Sequence, residues 1–139
     1  NEVDTFVMSI GTGGTIMGVA EVLKKKLPDV RIVGAIPASS KKGMDPGTPY
    51  PRTDISGGIV SDISDRPDLI DEIFRVSDDD AIKMTHRLTK EEGLFAGVSS
   101  GANVLVALKE AKKLGKGKNV VTILPDNRDR YLTDEHYVT

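Results

Sequence analysis

The chain has 139 residues, 38% hydrophobic and 29% charged, a net charge of −2, a pI near 5.7 and no cysteine. That suffices for one domain with a real core, and the near-neutral balance gives no electrostatic footprint for nucleic acid. The absence of cysteine excludes disulfides, thiolate nucleophiles and cysteine metal sites.

The chain opens at Asn1 and enters a strand almost at once, as expected of a piece of something longer. Thr5–Ile10 has the length and residue types of a buried strand. Gly11-Thr12-Gly13-Gly14-Thr15 follows, and Ile16, Val19, Leu23 and Leu27 then recur at helical spacing, so a helix begins near Thr15. Strand, glycine-rich loop and helix N-terminus together make an anion cradle. The first helix amides lack internal partners, and the dipole is positive there. Thr12 and Thr15 add hydroxyl donors. A dinucleotide fingerprint would need Gly or Ala where Ile16 stands, and a Walker A loop would need Gly-Lys-Ser/Thr. NAD and ATP are therefore disfavoured, leaving another cofactor phosphate or a tight turn that binds nothing. Lys24-Lys25-Lys26 complements the far end of the helix dipole.

After the break at Pro28-Asp29, Arg31–Ile36 reads as a second strand, parallel to the first. Ligands of such sheets bind outside the carboxyl ends of the strands, where Gly11–Thr15 falls. Residues 37–67 form a long irregular stretch rich in proline and glycine, of a length that is usually functional. Asp71–Val76 reads as a strand, and Ser77 as the N-cap of a helix with Asp78, Asp79 and Asp80 in its first turn. The cap accounts for those acids, so no metal site is expected. The helix carries Ile82, His86, Leu88 and Glu92 and stops at Gly93. His86 reads as a surface or half-buried helix residue rather than a catalyst, with no partner acid or nucleophile indicated. A second helix is expected over Ala102–Leu114, with Val104, Leu105, Leu108 and Ala111 inward and Ser99 or Ser100 as N-cap. Gly115–Lys118 is a turn, Asn119–Leu124 a buried strand, and Pro125-Asp126-Asn127 ends it on the same sheet edge. His136 lies in the tail with no evident partner. No run of about 18 apolar residues and no signal-peptide pattern occurs, so no membrane is expected and a cytoplasmic location is the default.

Gly11–Thr15, then Glu91–Ala102 with Gly97-Val98-Ser99-Ser100-Gly101, then Ile123–Thr133 stand in the order and spacing of one family. The chain closely resembles the C-terminal part of the catalytic region of cysteine synthases and cystathionine β-synthases. These are pyridoxal-phosphate enzymes of the tryptophan synthase β-like fold. The resemblance implies one domain of a three-layer α/β sandwich with a central, mostly parallel sheet. It implies pyridoxal phosphate as cofactor, with Gly11, Thr12, Gly13, Gly14 and Thr15 on its phosphate. The Ser99 hydroxyl would meet the pyridine nitrogen, where a pure helix cap is the alternative. Gly57 and Gly58 stand where the family carries a glycine-rich loop near the ring, although Ser56–Asp62 departs from its Gly-Ile-Gly-Ala-Gly-Phe pattern. Asp126 would help set the ring pocket or cap the turn. Asn127 and Arg128 replace residues that are usually smaller in cysteine synthases. Asp129-Arg130-Tyr131 matches the family's ending and reads as structural.

The family's Schiff-base lysine and its substrate-carboxylate loop precede everything present here. No catalytic residue is therefore expected in this chain, which alone would be inactive. The intact parent would be a homodimer making L-cysteine from O-acetylserine or O-phosphoserine and sulfide. Cystathionine β-synthase, using serine and homocysteine, is the near alternative; a non-catalytic phosphate-binding module is the distant one.

Overall fold

A computed structural model describes residues 3–38 and 66–131. In chain order these form β1 (Thr5–Ser9), α1 (Gly14–Lys26), β2 (Arg31–Pro37), β3 (Glu72–Val76), α2 (Asp78–Glu92), α3 (Val98–Leu114) and β4 (Val120–Thr122). Short 3₁₀ turns lie at Pro67–Leu69 and Arg128–Tyr131. The strands make one parallel sheet in the order β3-β2-β1-β4, with Val7 opposite both Val33 and Thr122.

The apolar runs of β1 and β2 are buried on both faces, as central parallel strands must be. Phe6, Met8, Ile32 and Ile36 join Ile16, Met17 and Ala20 of α1 in one core cluster. Val7, Val33 and Ala35 join Ala81 of α2 and Val106 of α3 in another. Period-two alternation along the strands thus feeds two helical layers, giving the three-layer arrangement. Two glycines make close approaches possible. A Cβ on Gly34 would stand 2.5 Å from Ile10 Cδ1, and one on Gly101 would stand 2.3 Å from the Ala81 carbonyl oxygen. Gly101 is what lets α3 lie against α2.

Two expectations about α3 need correction. Helix α3 begins at Val98, four residues before Ala102. Its inward face also differs, because Leu108 and Ala111 are exposed whereas Asn103, Val106 and Glu110 are fully or almost fully buried. Apolar periodicity could not find a face that carries an amide and a carboxylate. Both polar groups are held. Asn103 Nδ2 donates to the Ile123 carbonyl at 2.8 Å, and Glu110 accepts from Arg31 Nε at 2.9 Å. Arg31 also pairs with Glu72, and Lys113 lies 3.3 Å from Glu72 and 3.6 Å from Glu110. A buried carboxylate is tolerated only when paired in this way. The network joins the amino ends of β2 and β3 to α3, at the edge opposite the glycine-rich loop. Among the described residues the sheet ends at β4, and the buried strand expected over Asn119–Leu124 is corrected there: only Val120–Thr122 is strand, and Val121 within it and Ile123 and Leu124 beyond it are each about 40% exposed. Among the described residues, no helix is long and apolar enough to cross a membrane.

Gly101→Ala tests the helix contact. Alanine is the better helix former by about 1 kcal/mol, but its methyl would meet a backbone carbonyl that cannot rotate away. We expect a net loss of about 1–3 kcal/mol in urea unfolding. An unchanged or raised midpoint would show that the two helices have room for a methyl.

Candidate functional site

The chain runs β1, β2, β3 toward one side of the sheet and then returns across it to place β4 against the other side of β1. The strand order reverses between β1 and β4, and such a reversal opens a crevice at the carboxyl edge. Gly11–Thr15 leaves β1 at this edge and Asp126 leaves β4 beside it.

At the first loop, the Ile10 amide still bonds the Ala35 carbonyl at 2.8 Å, after which the chain leaves the sheet. Gly13 turns it with φ +90°, a left-handed conformation that a side chain would strain. The first intrahelical bond runs from the Met17 amide to the Gly13 carbonyl at 3.0 Å. The amides of Gly14, Thr15 and Ile16 therefore have no intrahelical acceptor. A Cβ on Gly11 would meet nothing within 4 Å, and one on Gly14 would meet only the Thr12 hydroxyl, at 3.8 Å. Thr12 and Thr15 are exposed beside this open space.

The other two helix starts are closed. Helix α2 has the expected Ser77 cap, whose hydroxyl accepts the Asp80 amide at 3.2 Å, and three aspartates in its first turn. Helix α3 has Gly97 at its N-cap and no acid of its own in the first turn. Ser99 and Ser100 are thus inside the helix, and neither is the side-chain cap expected from sequence. Asp126 supplies the cap from 26 residues away: its carboxylate accepts the Ser99 amide at 3.0 Å and the Ser100 amide at 2.8 Å. Helix α1, by contrast, has no acid in its first turn, no side-chain cap bond, and three lysines in its last turn. Among the described helices, only this positive end lacks both an acid and an N-cap side chain; its one side-chain contact is the Thr12 hydroxyl, which accepts the Gly14 amide at 3.5 Å, and it faces the crevice. A phosphate fits there on both charge and space.

Asp126 also separates the two serines. The Ser100 hydroxyl bonds the Asp126 carboxylate and lies 3.1 Å from its carbonyl oxygen. The Ser99 hydroxyl makes no hydrogen bond to a described residue, and Ser99 is half-buried. The exit loop of β4 is stitched down further, because the Asp126 carbonyl accepts the Gly97 amide at 3.1 Å and Asn127 bridges Ala96. Arg128 is buried, with its guanidinium 5.6 Å from the Phe95 ring centroid and Nη2 3.2 Å from His86 Nδ1. His86 thus lies against a cation on the neighbouring loop. Burial, and then the Arg128 charge, push its pKa below the usual imidazole value. Asp129, in the 3₁₀ turn, accepts from Asn127 Nδ2 at 3.2 Å.

Gly57 and Gly58, with the rest of Ser56–Asp62, and His136 lie outside the described residues. No group of three or more His, Asp or Glu side chains suited to a metal occurs among the described residues. Sequence reasoning missed the partnership of Asp126 with α3. The available signal was a helix start with glycine at the N-cap and no nearby acid, so that its amides needed a distant acceptor.

A family model described as pyridoxal-phosphate dependent enzyme matches residues 1–126. A cysteine synthase of Staphylococcus aureus (strain N315) is 42% identical over 137 residues, which are 97% of this chain and 44% of that protein. The crystal structure of O-acetyl serine sulfhydrylase isoform 3 from Entamoeba histolytica is 42% identical with a TM-score of 0.83, over 99% of this chain and 42% of that one. The crystal structure of an O-acetylserine dependent cystathionine β-synthase from Helicobacter pylori is 39% identical with a TM-score of 0.81, over 98% and 44%. The chain thus spans less than half the length of each of these relatives, and its α/β fold is theirs over that span.

The His86–Arg128 contact predicts a pH dependence. The folded state holds His86 neutral below its ordinary value of about 6.5, while the unfolded chain takes up the proton there. More protons on the unfolded state mean that stability rises with pH up to about 6.5 and levels off above it. In urea unfolding between about pH 5 and 8, His86→Gln should flatten that rise. An unchanged slope would show that His86 is not held neutral.

Proposed function

This chain belongs to the pyridoxal-phosphate dependent enzymes, and from that premise we propose that it is the C-terminal, cofactor-binding part of a cysteine synthase catalytic region. The intact parent makes L-cysteine from O-acetylserine or O-phosphoserine and sulfide by β-replacement. The observation that carries this reading is the uncapped N-terminus of α1 at the strand-order reversal. An anion held there sits on the carboxyl edge that the start of α3 shares.

In this reading the backbone amides of Gly13, Gly14 and Thr15, with the Thr12 and Thr15 hydroxyls, hold the cofactor phosphate. The open space before Gly11 and Gly14 admits its oxygens. The Ser99 hydroxyl, uncommitted within the described chain, would meet the pyridine nitrogen. When bound, the cofactor supplies the electron sink that lets a leaving group depart from the β-carbon of the amino acid. A neutral hydroxyl does not hold the ring nitrogen protonated as a carboxylate would. That weaker sink suits β-elimination and replacement better than chemistry needing a long-lived carbanion. Gly57 and Gly58, which lie outside the described residues, are assigned to the ring pocket by the family resemblance alone. The Schiff-base lysine and the substrate-carboxylate loop belong to the rest of the parent, a cytoplasmic homodimer, and this chain alone is inactive. A second reading, cystathionine β-synthase, is supported by the likeness to the Helicobacter pylori enzyme, which is 39% identical. The two differ in the sulfur nucleophile, sulfide or homocysteine.

The test is a visible absorption spectrum of the full-length gene product, before and after O-acetylserine is added without sulfide. We expect a lysine-linked cofactor band that O-acetylserine displaces and sulfide restores. Restoration by homocysteine in preference to sulfide would favour the second reading, and no cofactor band would leave only a phosphate-binding module. Gly13→Ala, placed at φ +90°, should weaken cofactor binding about tenfold or more, measured by band intensity against added cofactor. Unchanged affinity would remove the loop from the phosphate site.

A further inference from the structure

A helix start is ordinarily capped by the residue that precedes it. At α3 that residue is Gly97, which has no side chain to offer, and the work passes to Asp126. The contact is two-sided. The carboxylate oxygens divide between the amides of Ser99 and Ser100, at 3.0 and 2.8 Å. The Asp126 carbonyl accepts from Gly97 at 3.1 Å, and its amide donates to the Ser100 hydroxyl at 3.3 Å. Two adjacent amides held by one carboxylate fix the rotation of the first helical turn, and with it the direction in which Ser99 leaves the backbone. The same carboxylate occupies the Ser100 hydroxyl, so Ser99 keeps the uncommitted one.

The charge matters as well as the geometry. An uncapped helix start carries about half a positive charge. Such a charge beneath a heterocyclic nitrogen would lower that nitrogen's affinity for a proton and weaken its hydrogen bond to a hydroxyl. Asp126 cancels it at the start of α3, whereas α1 keeps it and thereby suits a phosphate. One edge of the sheet thus presents one helix end that keeps its positive potential and one whose potential is offset, suited to the two ends of one ligand.

We propose that Asp126 is a positioning residue for the cofactor ring, setting both the direction of the Ser99 hydroxyl and the potential at the pyridine nitrogen. This rests on the reading above that Ser99 meets that nitrogen.

The experiment uses the full-length enzyme loaded with pyridoxal phosphate labelled with ¹⁵N in the ring. The ring-nitrogen resonance is recorded for wild type, Ser99→Ala and Asp126→Asn, and hydrogen exchange is followed for the amides of Ser99 and Ser100. Both variants should displace the resonance, and Asp126→Asn, which keeps one acceptor oxygen where the carboxylate has two, should also leave one of the two amides exchanging about fivefold faster, the loss of one ordinary hydrogen bond. A resonance moved by Ser99→Ala and unmoved by Asp126→Asn would overturn the role of Asp126 and leave the Ser99 reading standing. A resonance unmoved by Ser99→Ala would overturn both. Should Asp126→Asn not fold, Asp126→Ser, a capping residue without charge, carries the same test. It should restore part of the amide protection while the resonance stays displaced, and a wild-type resonance there would refute the proposal.

Discussion

A parallel sheet imposes one constraint from which much of this molecule follows. Every helix that carries the chain back to the amino edge starts at the carboxyl edge, so the positive ends of the helices gather there. Unopposed, they would repel one another and leave their first amides unbonded. The chain resolves this differently at each start. Helix α2 takes its cap and its acids from its own first residues, and α3 borrows a carboxylate from the loop after β4. Only α1 lacks both, and it follows the strand at which the sheet order reverses. The binding potential of the edge thus comes from the one helix whose start was left uncapped.

The rest of the framework keeps that edge in register. On the far side of the sheet, Glu110, Arg31, Glu72 and Lys113 tie α3 to the starts of β2 and β3. Gly101 brings α3 against the backbone of α2, and Asn103 anchors it to the Ile123 carbonyl. Helix α3 is therefore held at its start, its middle and its far end by three kinds of interaction. A side chain in its first turn has little freedom to drift.

What the sequence disclosed divides along the same line. Features set by near neighbours were legible: the apolar run of β1, the glycine turn into α1, the Ser77 cap and the Gly93 stop. Each depends on residues within a few positions. The start of α3 was misplaced because its capping group lies 26 residues beyond Ser100, and nothing around Gly97 reveals it. Its inward face was misread because Asn103 and Glu110 are polar, and their burial makes sense only once Ile123 and Arg31 are seen beside them. The contact of His86 with Arg128 spans 42 positions and left no local sign. The motif order that points to the cofactor was readable without any of these contacts. The separation of Ser99 from Ser100 by Asp126 needed the coordinates.

The outer side of β4 has a practical consequence. Val121, in a short strand that pairs only with β1 among the described residues, is substantially exposed, and so are Ile123 and Leu124 just after it. Such a margin has backbone groups free to recruit another strand and apolar side chains to reward it. Produced without a covering segment, the domain would carry an adhesive seam, and its behaviour at high concentration would be governed there rather than in its core. A lysine at Val121 is the remedy that seam invites. It would put charge on the margin and leave Gly11–Thr15, Ser99 and Asp126 as they are.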